Sequence, residues 1–364
     1  MGAASGFRRN VGTLTEPIRQ SNAILVVVVV RQRAVPIRLG RGRASVPSAD
    51  SRPARDSGCA GREAPYPRRV PELPEVEVLV RHLSPLLRGR VVREVVVLRT
   101  KPLRPTTARS LATRLTGARF LEVGRRAKFL VFELERDGGG RQRLLGHLGM
   151  TGRMYLQPTA AQLPKHAVVW MGLGGERLVY EDPRGFGRFT LSLDGLEGLG
   201  PEALGVEFTA EHLAEGLGRT AQAVKVKLLD QTLVAGLGNI YAAEALFRAG
   251  VPPRTAGRRL VRAQIGRLWQ AIREVLTEAI GWGSTVRPDL PGSGRNDARF
   301  YYGGEGGEFR TQNLLVYDRA GEPCARCGTP IRRIVQAARS TFFCPGCQRA
   351  RASGNGRPRR AGHP

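Results

Sequence analysis

Residues 70–77 read Val-Pro-Glu-Leu-Pro-Glu-Val-Glu and open a predicted amphipathic helix. Pro74 suits the first helical turn, because the N–H that proline lacks has no partner within the helix at that position. Apolar residues then recur at helical spacing as far as Gly89: Val76, Val80, Leu83 and Leu87. This stretch therefore predicts a helix that begins directly after an unusual Pro-Glu pair.

Pro71 and Glu72 carry chemistry only under one condition. A proline inside a chain has an amide nitrogen that is not nucleophilic, whereas a terminal proline has a secondary amine that attacks electrophilic carbon. The neighbouring carboxyl group of Glu72 would then supply a proton. The pair predicts a nucleophile beside an acid, provided that the mature protein begins at Pro71.

The residues before Pro71 form a leader of unusual composition. Residues 1–69 contain thirteen Arg, no Lys and four acidic residues. Such a segment is typical of disorder, and an acid-poor basic leader is also typical of a targeting peptide. A third interpretation is that the leader is not native, since Val70 stands where an initiator is needed and a GUG start codon read as internal gives valine. We expect residues 1–70 to be a disordered or non-native leader.

Length and charge narrow the class of protein. The 364 residues are 41% apolar, which is enough for two or three domains with real cores. The net charge is +27, of which the leader supplies +9 and the rest of the chain +18. Such an excess indicates a polyanionic partner. The apolar run from Ala23 to Val30 has eight residues and is too short to span a bilayer.

Two structural patterns follow the first helix. Runs rich in Val, Leu and Phe, separated by Gly and Pro, predict a mainly antiparallel sandwich or barrel. These runs are Val91–Leu98, Ala127–Leu134, Leu144–Met150, Ala167–Met171, Arg177–Tyr180 and Phe186–Leu193. From about Asp194 the pattern becomes helical, and apolar spacing from Leu260 to Ile280 predicts one long amphipathic helix.

Four cysteines near the end of the chain have the spacing of a metal site. Two CxxC pairs are separated by sixteen residues, with glycines that allow tight knuckles: Cys324, Cys327, Cys344 and Cys347. The alternatives are two disulfides or four free thiols. Paired CxxC knuckles around a hairpin fit a structural zinc ion better.

Four other segments are weak signals when each is taken alone. Lys225 to Gln231 precedes the glycine-rich turn of Val234 to Glu244, which predicts a helix, a turn and a second helix whose N–H groups favour phosphate. Arg125-Arg-Ala-Lys128 lies before an apolar strand, and Asp182-Pro-Arg-Gly-Phe-Gly187 predicts a turn. His147-Leu-Gly-Met150 alone predicts only a satisfied polar residue near a core.

The chain contains, in this order, the segments PELPEVE, RRAK, HLGM, DPRxFG, VAGLGNIYA and the CxxC ribbon. In this order they closely resemble the formamidopyrimidine-DNA glycosylase family of bacterial DNA-repair enzymes. The resemblance runs from Pro71 to about Arg349. It implies an α+β multidomain fold with an N-terminal β-sandwich that carries a terminal helix, a helix-two-turn-helix domain and a zinc ribbon. The domains that we expect are a leader at 1–70, a catalytic β-sandwich at 71–195, a helix-two-turn-helix domain with a lesion-covering loop at 196–317, a zinc ribbon at 318–349 and a basic tail at 350–364.

The resemblance also implies a function. It implies a bifunctional DNA glycosylase and AP lyase of base excision repair that removes formamidopyrimidines and 8-oxoguanine from double-stranded DNA. Pro71 matches the nucleophile that forms a cationic iminium with the sugar, Glu72 matches the general acid, and Lys128 matches the lysine that assists elimination. A bacterial enzyme of this kind is expected to be a monomer in the cytoplasm, associated with the nucleoid through DNA.

Other residues match binding positions of the family. Residues matching those that recognise the lesion or fill the space left by the flipped base are Glu75, Met150, Arg184 and Phe186, with Arg184 facing the orphaned cytosine. Phosphate-binding positions are matched by Lys225, Asn239 and Arg339. The four ribbon cysteines match the ligands of one structural Zn²⁺.

The chain departs from the family pattern at two places, and two alternative functions are compatible with its sequence. Gly185 stands where the family has a second arginine, and the loop at 285–313 is longer than the family's lesion-covering loop and differs from it in composition. One alternative is the related endonuclease VIII type, which removes oxidised pyrimidines, although Leu73 and the Met150, Arg184, Phe186 set favour the purine enzyme. The other is a non-catalytic DNA-binding relative in which the leader blocks Pro71.

Overall fold

The computed structural model describes residues 71–284 and 314–349, together with two short strands in the leader. The first helix, α1, spans Leu73–Leu87, close to the helix that the sequence predicts. Glu72 is its N-cap residue and a proline lies in its first turn. Its apolar face is fully buried, with no exposure of Leu73, Val76 or Leu83. This face anchors the Pro71-Glu72 pair to the core.

Two antiparallel sheets form the first half of the described chain. The larger comprises β1 (Thr13–Leu14), β2 (Val28–Arg31), β3 (Glu94–Val97), β7 (Arg153–Pro158), β8 (Ala167–Gly172) and β9 (Glu176–Glu181), in the order β1-β2-β3-β8-β9-β7. The smaller comprises β4 (Ala118–Arg126), β5 (Phe129–Arg136), β6 (Gly140–His147) and β10 (Arg188–Thr190), in the order β10-β6-β5-β4. The predicted β-sandwich is confirmed.

The sandwich core follows from the alternation of buried residues along the strands. In β5, Leu130, Phe132 and Leu134 are fully buried and alternate with partly exposed residues, as a strand with one covered face requires. Between the sheets, Tyr180 of β9 stacks on Phe189 of β10 with ring centroids 5.4 Å apart. The aromatic pair joins the two layers directly below the loops that lead into β10.

Two strands and two helices do not stand out in the sequence. In β4, exposed Arg119 and Glu122 interrupt the apolar run, and β7 begins at a charged residue, Arg153. Helices α2 (Ala108–Leu115) and α3 (Ala210–Gly218) are short. Each has a threonine N-cap whose side chain accepts a backbone N–H bond.

The second half of the described chain is helical, as predicted. It contains α4 (Val224–Leu228), α5 (Asn239–Ala249) and α6 (Arg262–Ser284). Helix α6 is the predicted long amphipathic helix, and it buries Leu268, Ile272 and Leu276 completely. Helix α1 contacts β4 on one side and α6 on the other. It therefore belongs to one continuous core that the sheets and the helices share.

A small hairpin closes the described chain. Strands β11 (Arg332–Gln336) and β12 (Arg339–Phe343) pair antiparallel through a two-residue turn. This hairpin packs on α5 around a separate apolar cluster that includes Phe247, Val316 and Phe342. The predicted ribbon is thus fixed against the helical part of the protein.

Part of the expected leader does have a described place. Strand β2 pairs antiparallel with β3, with Val28 opposite Val97. The remaining leader residues, the loop at 285–313 and the tail at 350–364 lie outside the described residues. Among the described helices, none is both long and apolar enough to cross a membrane.

Candidate active site and DNA interface

The carboxyl group of Glu72 lies at the start of α5. Its Oε1 accepts a hydrogen bond from the backbone N–H of Ile240 at 3.0 Å, and its Oε2 accepts one from Tyr241 at 3.4 Å. A Cβ at Gly238 would collide with this carboxyl group, so glycine at this position lets the turn approach it. The turn that the sequence presented as a possible phosphate site therefore holds the carboxyl group of Glu72.

Glu75 supports Glu72 and has both of its oxygens engaged. Its Oε2 accepts the backbone N–H of Glu72 at 2.9 Å, and its Oε1 accepts the hydroxyl of Tyr241 at 2.7 Å. Glu75 is only 4% exposed. The structure thus places this residue beneath the Pro71-Glu72 pair, where it fixes the start of α1.

Lys128 lies in the two-residue turn between β4 and β5. The preceding residue, Ala127, has a φ of 52°, a left-handed conformation that a tight hairpin turn uses. The turn is held from the helical part of the chain, because Glu202 accepts the N–H of Ala127 and pairs with the guanidinium groups of Arg125 and Arg126. Glu202 has no counterpart among the sequence motifs, since a lone acid gives no signal.

The electrostatics of Glu72 and Lys128 are linked. Burial raises the pKa of Glu72 to about 7, although the Lys128 charge and the N–H donors of α5 oppose the shift. Burial lowers the pKa of the Lys128 ammonium, and the nearby Glu72 opposes that shift. A carboxyl group that titrates near neutrality beside a lysine is suited to general acid–base chemistry.

His147 lies near Lys128, although its sequence motif predicts no functional role for it. Its Nδ1 accepts the backbone N–H of Gly149 at 3.0 Å, and its ring lies 4.8 Å from the ring of Phe129. Burial lowers its pKa to about 4, with Lys128 and Arg188 acting in the same direction. The imidazole is therefore neutral at physiological pH, and its Nε2 carries the proton because Nδ1 accepts a bond.

Met150, Arg184 and Phe186 meet on one surface. Phe186 is 54% exposed and Met150 is 37% exposed, both unusual for large apolar side chains. The guanidinium group of Arg184 lies over the Phe186 ring at 4.9 Å, and Lys101, which the sequence did not single out, lies 5.8 Å from the same ring. Between them Gly185 has a φ of 64°, which glycine adopts without steric cost. An exposed apolar tip ringed by cations suits insertion into a nucleic acid.

Lys225, Asn239 and Arg339 also lie close together, but they differ in their exposure to solvent. Lys225 is 1% exposed, and its three ammonium protons have three protein acceptors: Asn239 Oδ1 at 2.6 Å, the Ser340 carbonyl at 3.1 Å and Thr341 Oγ1 at 2.8 Å. Burial lowers its pKa to about 8. Arg339 is exposed. Lys225 thus ties α4 to α5 and to the ribbon, whereas Arg339 faces solvent.

The four ribbon cysteines fit a zinc ion. Their Sγ atoms lie within 4.8 Å of one another, and three of the separations are 3.4, 3.5 and 3.9 Å. A tetrahedral site with Zn–S bonds of about 2.3 Å needs sulfur atoms about 3.8 Å apart. All four are free of disulfides. Cys324, Cys327, Cys344 and Cys347 are therefore the ligands of one structural Zn²⁺.

Three family models match the chain in this order. The formamidopyrimidine-DNA glycosylase N-terminal domain matches residues 70–189, the H2TH domain of the same glycosylase matches 199–288, and a zinc finger found in FPG and IleRS matches 321–350. Together these matches cover the sandwich, the helical part and the ribbon.

Curated relatives match this chain over all or nearly all of their own length. The formamidopyrimidine-DNA glycosylase of Thiobacillus denitrificans is 42% identical over 77% of this chain and 100% of its own, and that of Thermus thermophilus is 42% identical over 77% and 98%. The solved structure of Lactococcus lactis Fpg in complex with DNA containing an abasic site has a TM-score of 0.67 at 33% identity, covering 77% of this chain and all of its own. A complex of that protein with DNA containing N7-benzyl-Fapy-dG gives the same score.

Proposed function

Because this chain belongs to the formamidopyrimidine-DNA glycosylase family, and is a DNA glycosylase of base excision repair, we propose that it removes oxidised purines and then cleaves the strand, with Pro71 as nucleophile. The lesions would be formamidopyrimidines and 8-oxoguanine. The observation that carries this proposal is the Glu72 carboxyl group, which is buried next to Pro71, held by the N–H groups of α5 and electrostatically coupled to Lys128.

The chemistry begins at the anomeric carbon of the damaged nucleotide. The secondary amine of a terminal Pro71 forms a bond to C1′, the glycosidic bond breaks, and the base leaves with its electron pair and takes up a proton. The amine gives up its one proton, and protonation of the ring oxygen by Glu72 opens the sugar. The resulting iminium has no N–H proton to lose and stays cationic, so it withdraws electrons from C2′.

Strand cleavage follows from that cation. Loss of a C2′ proton to a base converts the iminium into a neutral enamine. The enamine then expels the 3′ phosphate with the electron pair of the C3′–O bond and becomes a conjugated, cationic iminium. Lys128 lies close enough to Glu72 for the two charges to interact, and we assign it to assist this elimination. Water then hydrolyses the conjugated iminium and releases Pro71.

The leader decides whether Pro71 is available. In the 364-residue chain Pro71 follows Val70, so its nitrogen is an amide. Two observations support a native start at Pro71. The family match begins at residue 70, and the whole length of the Thiobacillus denitrificans relative is matched by 77% of this chain. We therefore propose that residues 1–70 are absent from the active enzyme. We also propose that the other domains have the boundaries predicted from the sequence.

The DNA contacts follow from the exposed groups. Phe186 and Met150, with Arg184 above the Phe186 ring, would occupy the space left when the damaged base flips out, at an unpairing cost of roughly a few kcal/mol. Arg339 and Asn239 would contact phosphates, with Lys225 bonded to Asn239 and to the carbonyl of Ser340, the residue after Arg339. We propose a monomer that acts on double-stranded DNA in the bacterial cytoplasm.

Borohydride trapping tests the nucleophile. Borohydride reduces an iminium to a stable amine, so protein incubated with duplex DNA containing 8-oxoguanine should form a covalent adduct only when Pro71 is terminal. The two proteins to compare are the 364-residue chain and a chain that starts with Met in place of Val70, with the mass of each N-terminus measured before use.

Three outcomes count against parts of the proposal. An adduct with the intact 364-residue chain would overturn the proline assignment and point to a lysine such as Lys128. Trapping on thymine glycol but not on 8-oxoguanine or a formamidopyrimidine would favour the pyrimidine-specific alternative. DNA binding without trapping on any substrate, even with Pro71 terminal, would favour a non-catalytic relative.

A further inference from the structure

Asp182 is a fully buried carboxylate that receives four hydrogen bonds. Its Oδ1 accepts the hydroxyl of Thr151 at 2.7 Å and the backbone N–H of Arg184 at 3.2 Å. Its Oδ2 accepts the backbone N–H of Gly187 at 2.8 Å and the hydroxyl of Tyr180 at 3.4 Å. The side chain that received no role in the sequence motif is thus the most densely bonded group near the exposed apolar tip.

These four donors come from two different loops and the strand beneath them. Thr151 directly follows Met150 in the loop between β6 and β7, whereas Arg184 and Gly187 bracket Phe186 in the loop before β10. Thr151 bridges the loops a second time, because its Oγ1 also accepts the N–H of Arg184 at 3.3 Å. One carboxylate therefore joins the loop that carries Met150 to the loop that carries Phe186.

Glycines allow the two loops to touch at this point. A Cβ at Gly149 would lie 2.6 Å from the backbone nitrogen of Gly187, and a Cβ at Gly187 would collide with the Tyr180 hydroxyl. The loops are thus in backbone contact, and Asp182 fixes their relative position from below. Neither loop has a regular strand or helix to hold it in the segment that carries the exposed side chains.

We infer that Asp182 is a positioning residue that makes Met150, Arg184 and Phe186 act as one rigid wedge when a nucleotide leaves the duplex. The inference rests on the proposed function, since it assigns the wedge to the handling of flipped DNA. Its physical basis is the cost of burying a carboxylate, which is tolerated only while all of its bonds are made. Loss of one loop's donor leaves part of that carboxylate unsatisfied, so each loop holds the other in position.

The rigid wedge has a specific energetic role. A side chain that is already fixed loses less conformational entropy on insertion into the base stack than one that must be ordered at that moment. The benefit applies only where there is a stack to enter. Excision from duplex DNA therefore depends on Asp182, whereas reaction with an abasic site in single-stranded DNA, which has no opposing base and no gap to fill, does not.

Two variants of Thr151 provide the sharpest test. Thr151→Val keeps the shape of the side chain and removes the bridging hydroxyl, whereas Thr151→Ser keeps the hydroxyl. Asp182→Asn replaces an acceptor by an amide whose NH₂ group faces donors. Thr107→Val, which removes the N-cap hydroxyl of α2, is the control for a similar loss of stability elsewhere. All are made in the chain beginning at Pro71, which contains every residue of the three family matches except Val70.

Two rates are compared for each variant. We expect excision of 8-oxoguanine from duplex DNA to fall about tenfold or more in Asp182→Asn and several-fold in Thr151→Val, and to return in Thr151→Ser. Borohydride trapping on single-stranded abasic DNA should stay within twofold of the parent protein throughout. The fluorescence of 2-aminopurine stacked next to the lesion should rise on binding of the parent and rise less with Thr151→Val, since it reports entry of the wedge.

Other outcomes overturn the inference. Equal losses on duplex and single-stranded substrates would mean that Asp182 supports the general fold or the chemistry. Unchanged duplex excision in Thr151→Val, with an unchanged 2-aminopurine signal, would mean that the loops are positioned without the bridge. If the parent protein itself gives no adduct on single-stranded abasic DNA, it is the proposed nucleophile that fails, and the 2-aminopurine signal still decides the role of the bridge.

Discussion

Glu72 accepts a hydrogen bond from the backbone N–H of Ile240 across 168 residues of sequence. The acid beside the expected nucleophile is thus bound to the positive end of a helix from the other part of the fold. Together with the Glu75–Tyr241 and Glu202–Arg126 contacts, it joins the β-sandwich to the helical part next to the expected point of reaction. In the proposed reaction, the carboxyl group would keep this hydrogen bond as an acceptor while it gives its proton to the substrate.

The pH dependence of base excision should show the titration of Glu72. Burial raises the pKa of this group to about 7, so the acid form is lost as pH rises through that value. A terminal amine titrates near about 8 and must be neutral to attack. We expect a bell-shaped profile of excision rate with its maximum between these values. Single-turnover rates from pH 5.5 to 9.5 measure it.

Glu72→Gln is the matched variant for this profile. It should reduce excision by about 100-fold or more, in keeping with the loss of a general acid, and remove the alkaline limb. Because its pKa is raised, protonated Glu72 also stabilises the fold. This contribution is complete below the ordinary pKa of 4.5 and is lost as pH rises through about 7. The melting temperature of the variant minus that of the parent should therefore increase as pH rises from 5 to 8. A constant difference would contradict the raised pKa.

Lys128→Met should separate catalysis from folding. The Lys128 ammonium is disfavoured by its burial, which lowers its pKa, so its removal should not destabilise the protein. We expect strand cleavage and base release to slow by about tenfold or more, with a melting temperature equal to or above that of the parent. Gel assays and thermal melts on the same preparation decide this. Parallel losses in both would indicate a structural role.

The salt dependence of DNA affinity should identify the phosphate contacts. The slope of log affinity against log salt is about −0.9 for each phosphate neutralised on duplex DNA. Arg339→Ala should make this slope shallower by about one such unit. Arg143→Ala, which removes an exposed arginine of β6 that pairs with Glu133 of β5, should leave the slope unchanged. An equal change in the two variants would mean that the slope reports net charge alone.

Lys225→Met should behave differently from Arg339→Ala. Its three N–H bonds stay within the protein. Its loss therefore removes the Lys225 donor from Asn239 Oδ1 and leaves the Ser340 carbonyl with only the bond from Asn239 Nδ2. We expect weaker DNA binding together with a lower melting temperature. A shallower salt slope at unchanged stability would instead mean that Lys225 turns outward and contacts phosphate itself.

Removal of zinc should release the ribbon from the helical part. Metal binding and folding are coupled in hairpins of this size, and the ribbon supplies the Ser340 and Thr341 acceptors of Lys225. Mild chelation should remove one zinc per chain and lower DNA affinity at least tenfold, with recovery on re-addition of zinc. Metal analysis and binding titrations measure both. Full DNA affinity in a zinc-free protein would exclude the ribbon from DNA binding.

The sequence located most of the candidate site, because the chemistry needs particular residue types at short spacing. The Pro-Glu pair, the two CxxC knuckles and the glycines of the α5 turn are visible in any unaligned copy of the chain. The family resemblance of the ordered motifs predicted the rest of the residues. Strand β4, in contrast, was missed because its exposed face is charged, which breaks an apolar run into pieces too short to identify.

Amino-acid order alone predicted the zinc ligands from their CxxC spacing, and through the family resemblance of the ordered motifs it predicted the acid, the lysine and the wedge residues. Tertiary structure decided what these groups can do. The pKa of Glu72 depends on burial beneath α5, Lys225 is buried rather than exposed because β12 packs over it, and Asp182 serves two loops because β6 and β10 are neighbours in one sheet. These properties arise from contacts between residues distant in sequence, and no local pattern records them.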